Sequence, residues 1–323
     1  MKIDKSKIKR ILVITLSNVG DILLTTPVIG ELTARFPKAR LDVIVGPNGR
    51  EIFEKDPAVS KVIIYDKHTS VMDKRRLVSK LRRLKYDLVV DLRNTIFGVL
   101  LGPRYRTSPL QKRLRGARHK KEEHLFRLKG LGIEPAGDAL RIHITAEDEE
   151  AVERLIRLEG LKGSFVVVSA GAKSHLKRWP EEHFAKLCDR IVSEMGMDVV
   201  FIGLTEDGEV VDRIIGKMKA RQVNLVNKTG IRALAALMRR SRLVITNDSA
   251  PLHLACAAGS KVLALFGPTD PARYGPTGKS DIALHKKLAC APCESAVCGY
   301  DYECMRSITS DEVFEAAAKI LKS

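Results

Sequence analysis

Two series of short aliphatic runs, each followed by a stretch patterned as a helix, constrain the fold of this chain more than any other feature. The first series predicts strands at Ile11–Leu16, Leu41–Val45, Val62–Tyr65 and Leu88–Leu92, with helices over Thr26–Phe36 and Lys74–Leu84. The second restarts at Phe165–Ser169 and continues through Val199–Ile202, Asn224–Val226, Leu243–Thr246 and Lys261–Phe266, with helices beginning near Pro180, Glu206, Thr229 and Ser249. Apolar runs of this kind suit strands covered on both faces, and their alternation with helices implies parallel sheets. At 323 residues the chain outgrows a single core. Two Rossmann-like α/β domains are therefore expected, residues 1–160 and 161–323, divided within the stretch from Gly130 to Gly163 that carries Gly132, Pro135 and Gly137. Thr26 followed by Pro27 fits a helix cap with proline at the first helical position, which leaves Ser17 to Thr25 as a connection or a short turn.

The segment from Asn247 to Gly267 has the form of a strand-to-helix turn at a phosphate site. A helix over Ser249 to Ala258 tolerates Pro251 in its first turn, and the free N–H groups of that turn, at the positive end of the helix dipole, suit a diphosphate. Two readings stand for each polar residue there. Ser249 either caps the helix or touches phosphate, and His253 either contacts phosphate or packs in the core. Neither first turn carries the glycine fingerprint of dinucleotide-binding folds or a phosphate loop, so hydride transfer and nucleotide hydrolysis lack their usual support. After the first strand the chain reads Ser17-Asn18-Val19-Gly20-Asp21, and that position is where open α/β sheets hold ligands.

The net charge of +17 is uneven. Between Lys67 and Lys129 there are 19 Lys or Arg against five acidic residues, and the stretch from Gln111 to Lys121 carries basic side chains without helical periodicity. It is expected to be a loop facing a polyanion. Nucleic acid, an anionic membrane and a phosphorylated glycolipid all satisfy that charge. The aromatics of the region, Tyr86, Phe97, Tyr105 and Phe126, are scattered rather than grouped as stacking platforms, which disfavours nucleic acid.

Three ordered motifs give the chain a likeness. Gly20-Asp21-Ile22-Leu23-Leu24-Thr25-Thr26-Pro27, Lys177-Arg178-Trp179-Pro180-Glu181-Glu182-His183-Phe184 and Asn247-Asp248-Ser249-Ala250-Pro251-Leu252-His253 together resemble glycosyltransferase family 9, the ADP-heptose:lipopolysaccharide heptosyltransferases, from about Ile11 to the C-terminal helix. The resemblance implies a GT-B architecture of two facing Rossmann-like parallel-sheet domains, with the acceptor held mainly by the first, the nucleotide sugar by the second, and reaction in the cleft between them. It implies an inverting transfer of heptose from ADP-heptose to a hydroxyl of the lipopolysaccharide inner core, with ADP-heptose as a substrate and no cofactor required.

Residue by residue, Asp21 matches the catalytic aspartate that takes the acceptor proton. Lys177 matches the lysine beside the donor phosphates, with Lys173 and Arg178 as further cations that offset the charge of the departing ADP, because no Asp-x-Asp metal motif is present. Ser249, Ala250 and Pro251 match the phosphate-contacting turn, where Pro251 has no N–H to give; Asp248 matches the residue that orients the sugar or the lysine, and His253 is a candidate contact. The family places an acid on the ribose after a strand, where Glu206 and Glu209 compete. Between Ser169 and Lys177 the paired threonines of some members are missing. Arg93, Arg113, Arg115, Arg118 and Lys120 are the candidate acceptor-binding residues, facing an anionic lipopolysaccharide precursor and an anionic membrane surface.

Four of the six cysteines cluster as Cys290, Cys293, Cys298 and Cys304, a spacing open either to a structural metal or to plain proximity of reduced thiols. Cys188 and Cys256 read as buried helix residues. The polar first ten residues lack the apolar core of a signal peptide, so a cytoplasmic protein is expected, and the resemblance together with the basic region implies peripheral contact with the inner membrane. Thr309-Ser310-Asp311-Glu312 is a capping box that opens a last helix, whose domain the sequence leaves open. The competing functions are a GT-B enzyme using another nucleotide sugar, as transferase or epimerase, and a basic nucleic-acid-binding protein.

Overall fold

The computed structural model describes residues 3–108, 119–161 and 163–322. The chain divides into two units, Met1–His143 and Ile144–Ser323. The division falls inside the expected stretch but earlier than residue 160. Its cause is the charged helix that follows: Ala146–Leu158 starts on a capping box of Thr145 with Asp148 and packs on a helix of the second unit.

In the first unit, strands β1 (Arg10–Ile14), β2 (Arg40–Val45), β3 (Lys61–Ile64), β4 (Leu88–Asp91) and β5 (Tyr105–Arg106) form a sheet in the order β3-β2-β1-β4-β5. Every pairing in it is parallel. The helices of this unit are α1 (Val19–Leu23), α2 (Thr26–Arg35), α3 (Arg50–Phe53), α4 (Val71–Arg83), α5 (Phe97–Leu100) and α6 (Lys120–Lys129). The segment expected as a connection or a short turn after β1 holds a five-residue helix, α1. Thr26 is also not the cap of α2: Thr25 takes that place, Pro27 sits in the first turn, and both threonine hydroxyls bond back to carbonyls of the preceding turn, Thr25 to Ile22 at 2.6 Å and Thr26 to Leu23 at 2.7 Å.

The second unit contains α7 (Ala146–Leu158) and the strands β6 (Phe165–Ser169), β7 (Asp198–Phe201), β8 (Val223–Asn224), β9 (Leu243–Asn247), β10 (Val262–Phe266) and β11 (Ile282–His285), again all parallel, in the order β11-β10-β9-β6-β7-β8. Between and after them come α8 (Glu181–Met195), α9 (Gly208–Ile215), α10 (Ile231–Arg240), α11 (Ala250–Ala258), α12 (Pro271–Tyr274), α13 (Glu303–Arg306) and α14 (Ser310–Lys322). The strands β6, β9 and β10 are buried at every position, as the unbroken aliphatic runs require. Helix α14 begins on the expected Thr309–Glu312 capping box, and packs on α8 and on β9 to β11. Its Val313, Ala317 and Ile320 join Trp179, Phe184 and Ile191 in one core.

Both sheets reverse their strand order once, at β1 and β4 in the first unit and at β6 and β9 in the second. A parallel sheet opens a crevice beyond the carboxyl ends of its strands at such a reversal. The loops after β1, β4, β6 and β9 therefore hold the positions from which ligand chemistry is expected. Among the described residues no helix is long and apolar enough to cross a membrane.

Candidate active site

In the second unit the reversal brings the loop after β6 against the turn after β9. Ser169 lies opposite Thr246 in register. Just beyond, the Asn247 side chain ties the two segments together: its Nδ2 donates to the Ala170 carbonyl at 2.8 Å, and its Oδ1 accepts the Trp179 N–H at 3.2 Å. Trp179 is anchored from its other end, with Nε1 donating to the Ile308 carbonyl at 2.8 Å. The buried indole therefore fixes the short helical turn His175–Lys177 that precedes it.

That anchoring aims Lys177 at Asp248. The lysine Nζ donates to Asp248 Oδ2 at 2.6 Å, and the Thr269 hydroxyl donates to the same oxygen at 2.6 Å. The Asp248 side chain is only 6% exposed while that of Lys177 is 28% exposed, so the carboxylate is fixed and the ammonium keeps an open side. A charge-assisted pair of this length holds the lysine in one place while leaving it further N–H donors. Arg178 Nε donates to the Ala172 carbonyl at 2.9 Å, which pins the loop from within. Lys173 is exposed.

Immediately after Asp248 comes the N-terminus of α11. Ser249 is the N-cap in extended conformation, its hydroxyl turned to the Thr246 hydroxyl and the Asn247 carbonyl at 3.4 Å each rather than to the helix, and Pro251 lies in the first turn. Ser249 makes no side-chain cap bond, so the capping role open in the sequence is not the one it plays. Ala250 and Pro251 are half-buried, and His253, one turn on, is 6% exposed. The combination of a fixed lysine and the positive end of a helix is one that binds phosphate oxygens.

The loop after β7 lies alongside. Asp207 accepts the Leu204 N–H at 2.9 Å, and it packs so tightly on Gly171 that a Cβ there would stand 2.0 Å from its Oδ1. Glu206 and Glu209 are both exposed, Glu209 with Arg213 at 3.9 Å. Thr269 and Asp207 went unnoticed in the sequence. Only the pairing of β9 with β10 brings residue 269 to residue 248, and no spacing announces it.

In the first unit Asp21 stands in the first turn of α1, half-buried, its Oδ2 accepting from Asn18 Nδ2 at 3.0 Å. Gly46 approaches the same turn so closely that a Cβ would lie 2.9 Å from the Ser17 Cα. Across the reversal, the Asp91 carboxylate ends β4 and organises the following loop, accepting the N–H of Arg93 at 2.9 Å, the N–H of Thr95 at 2.8 Å and the Thr95 hydroxyl at 2.7 Å. Burial pushes its carboxyl above the ordinary value, against the pull of those bonds. Arg93 is thereby set with its guanidinium 5.8 Å from the centre of the Tyr65 ring. Lys120 pairs with Glu123 at 2.7 Å in α6. Arg113, Arg115 and Arg118 lie outside the described residues.

The four clustered cysteines follow β11. Cys304 is buried, Cys290 and Cys298 are half-buried and Cys293 is exposed, and the Cys298 sulfur accepts the N–H groups of Tyr300 and Tyr302 at 3.4 Å each. Burial, with the other three thiols nearby, raises the Cys304 thiol. Among the described residues no group of three or more His, Cys, Asp or Glu is placed to hold a metal ion. Cys188 is buried in α8 as expected, while Cys256 in α11 is only partly so.

The model of glycosyltransferase family 9 (heptosyltransferase) matches residues 120–302. Lipopolysaccharide heptosyltransferase 3 of Escherichia coli K12 is 30% identical over 283 residues, covering 80% of this chain and 82% of the relative. Among solved structures, a glycosyl transferase family 9 protein from Veillonella parvula superposes with a TM-score of 0.86 at 25% identity, covering 97% of each chain. The E. coli ADP-heptose lipopolysaccharide heptosyltransferase II superposes with a TM-score of 0.80 at 21% identity, over 97% of this chain and 98% of that one. The two parallel-sheet α/β units are those of the GT-B class.

Proposed function

Because the chain belongs to glycosyltransferase family 9, the heptosyltransferases, and is thus a glycosyltransferase, we propose that it moves a heptose, with inversion, from ADP-heptose to a hydroxyl of the lipopolysaccharide inner core. The second unit takes the donor. The observation that carries this is the Lys177–Asp248–Thr269 arrangement at the N-terminus of α11. It presents a cation held by a buried carboxylate beside helix N–H groups, which is what the diphosphate of a nucleotide sugar requires as it gains negative charge on leaving. Asp248 acts on Lys177, keeping its ammonium in register, rather than on the phosphate, which it would repel.

The first unit takes the acceptor. Asp21 accepts the proton of the attacking hydroxyl as that oxygen bonds to the anomeric carbon, and the bond from that carbon to the ADP oxygen breaks, with ADP leaving as the anion. Its bond from Asn18 occupies Oδ2 and leaves Oδ1 for the proton. Arg93, held by Asp91 and Tyr65, offers a cation for the phosphate and carboxylate groups of the acceptor. Glu206 or Glu209 receives the ribose hydroxyls.

The test is transfer from ADP-heptose to an inner-core acceptor by Asp21→Asn. Turnover is expected to fall by about 10²–10⁴-fold, the range of a general base, while ADP still raises the melting temperature as it does for the wild type. Unchanged turnover removes Asp21 from the reaction. A melting temperature raised by UDP and not by ADP removes ADP-heptose as the donor.

A further inference from the structure

The first unit carries a second recess, a groove of about 790 Å³ between α4 and α5. Its apolar lining includes Tyr65, Val78 and Phe97, with the two rings in edge-to-face contact at 5.2 Å, and four cations of α4, Lys74, Arg75, Arg82 and Arg83, line it as well. On α4, Val71, Lys74, Arg75, Val78 and Arg82 recur at the three- and four-residue spacing of a single face. The neighbouring face, with Leu77, Leu81 and Leu84, covers the core of the unit.

Two features of the groove are unusual for a solvent-facing surface. Large aliphatic side chains of its lining are exposed, Val71 at 67% on α4, Ile96 at 63% and Leu100 at 42%, and Met72, next to Val71 in the chain, is exposed at 63%. Among the described residues, no carboxylate lies within ion-pair distance of the four cations; Asp73, on the same helix, pairs with Arg76 at 3.5 Å. Surface cations without counter-charges, flanking exposed aliphatic groups on one helical face, are the pattern of an element that lies in a membrane interface.

We propose that the groove between α4 and α5 seats this chain on an anionic lipid leaflet, with Val71, Met72, Ile96 and Leu100 entering the acyl boundary and the four cations meeting lipid phosphates. The proposal rests on the reading of the acceptor as a lipid-anchored glycan, and adds the surface that brings the first unit to it. Charge complementarity names the lipid class, and the exposed aliphatic groups favour a bilayer over nucleic acid, because the two rings of the groove lie edge to face against each other rather than open for base stacking.

Sedimentation of the full chain with vesicles tests it. The wild type is expected to sediment with vesicles containing phosphatidylglycerol, more weakly as salt rises, and to stay in solution with phosphatidylcholine alone. Two double variants, Arg75→Glu with Arg82→Glu and Ile96→Asp with Leu100→Asp, are each expected to lose at least about tenfold in affinity for the anionic vesicles, each basic residue near such a surface being worth about 1 kcal/mol. All four positions are exposed, so both variants should melt as the wild type does and transfer heptose to a soluble, deacylated acceptor at the wild-type rate. Wild-type affinity for the vesicles in both variants overturns the proposal, as does tighter binding of a single-stranded oligonucleotide than of the vesicles. A wild type that holds the vesicles but transfers nothing to the soluble acceptor supports the groove and sinks the reaction instead.

Discussion

Lys177 and Asp248 are one device rather than two. Removing the ammonium leaves a carboxylate with 6% of its side chain exposed and the Thr269 hydroxyl still donating to it, a loss of the kind that costs about 1–3 kcal/mol. Lys177→Ala is therefore expected both to lower the unfolding midpoint and to weaken ADP binding in calorimetry; unchanged ADP affinity would refute the phosphate role. A second residue sets an acid limit. His124 in α6 is buried, and desolvation first, then Lys120 and Arg127, hold its pKa down at about 4 from 6.5, with Glu123 pulling the other way. The unfolded chain takes up a proton below about 6.5 that the folded chain refuses, so stability falls as pH drops from 6.5 toward 4 and is level below, by roughly 3 kcal/mol in all. His124→Gln should flatten that limb in urea titrations, and an unaltered limb would assign it elsewhere. Lys177 and Asp248 were legible because each sits in a motif. Thr269 and Asp207 were not, since they reach their partners through strand pairing and through the absence of a side chain at Gly171, neither of which leaves a local trace.

At the scale of elements, α11 is set at both ends. Ser249 starts it in extended conformation, and Gly259 stops it at φ +77°, ψ 23°, the left-handed region. A Cβ at Gly259 meets no heavy atom within 4 Å, so Gly259→Ala isolates the conformational cost, about 1–2 kcal/mol. Denaturant midpoints should show that loss with ADP affinity kept, because the end proposed to face phosphate lies two turns away; a neutral substitution would mean that the helix ends differently. The central strands were legible from their unbroken aliphatic runs. Of the four edge strands, β3 and β8 were legible too, but β5 and β11 were not: β5 has two residues and β11 is half-buried at all four positions, so neither carries the pattern of a strand covered on both sides. Helix α1 escaped for a related reason, since five residues are too few to show a 3.6-residue period. The expected start of the Lys74–Leu84 helix was late by three residues because Ser70, whose hydroxyl accepts the Asp73 N–H, begins α4 on a first turn made of exposed apolar residues.

At the scale of the molecule, each unit has its own core, one of them uniting α8, α14 and the strands of the second sheet. The basic surplus from Lys67 to Lys129 belongs wholly to the first unit, and the proposed phosphate grip wholly to the second. Calorimetry is expected to resolve two unfolding transitions, of which ADP moves one; at a hundred times its Kd the ligand adds about 2.7 kcal/mol to the unit that holds it. A single transition, or equal movement of both, would show that the units unfold together. Parallelism has a further use. Every strand in both sheets runs the same way as its neighbours, so the candidate chemistry of each unit gathers at one rim of its own sheet, and the opposite rim of the second sheet is left with helix-to-strand joints such as Gly196–Met197 and Ser241–Arg242. A fluorophore or a surface tether attached at those joints would report on the enzyme, or immobilise it, without standing in the path of either substrate.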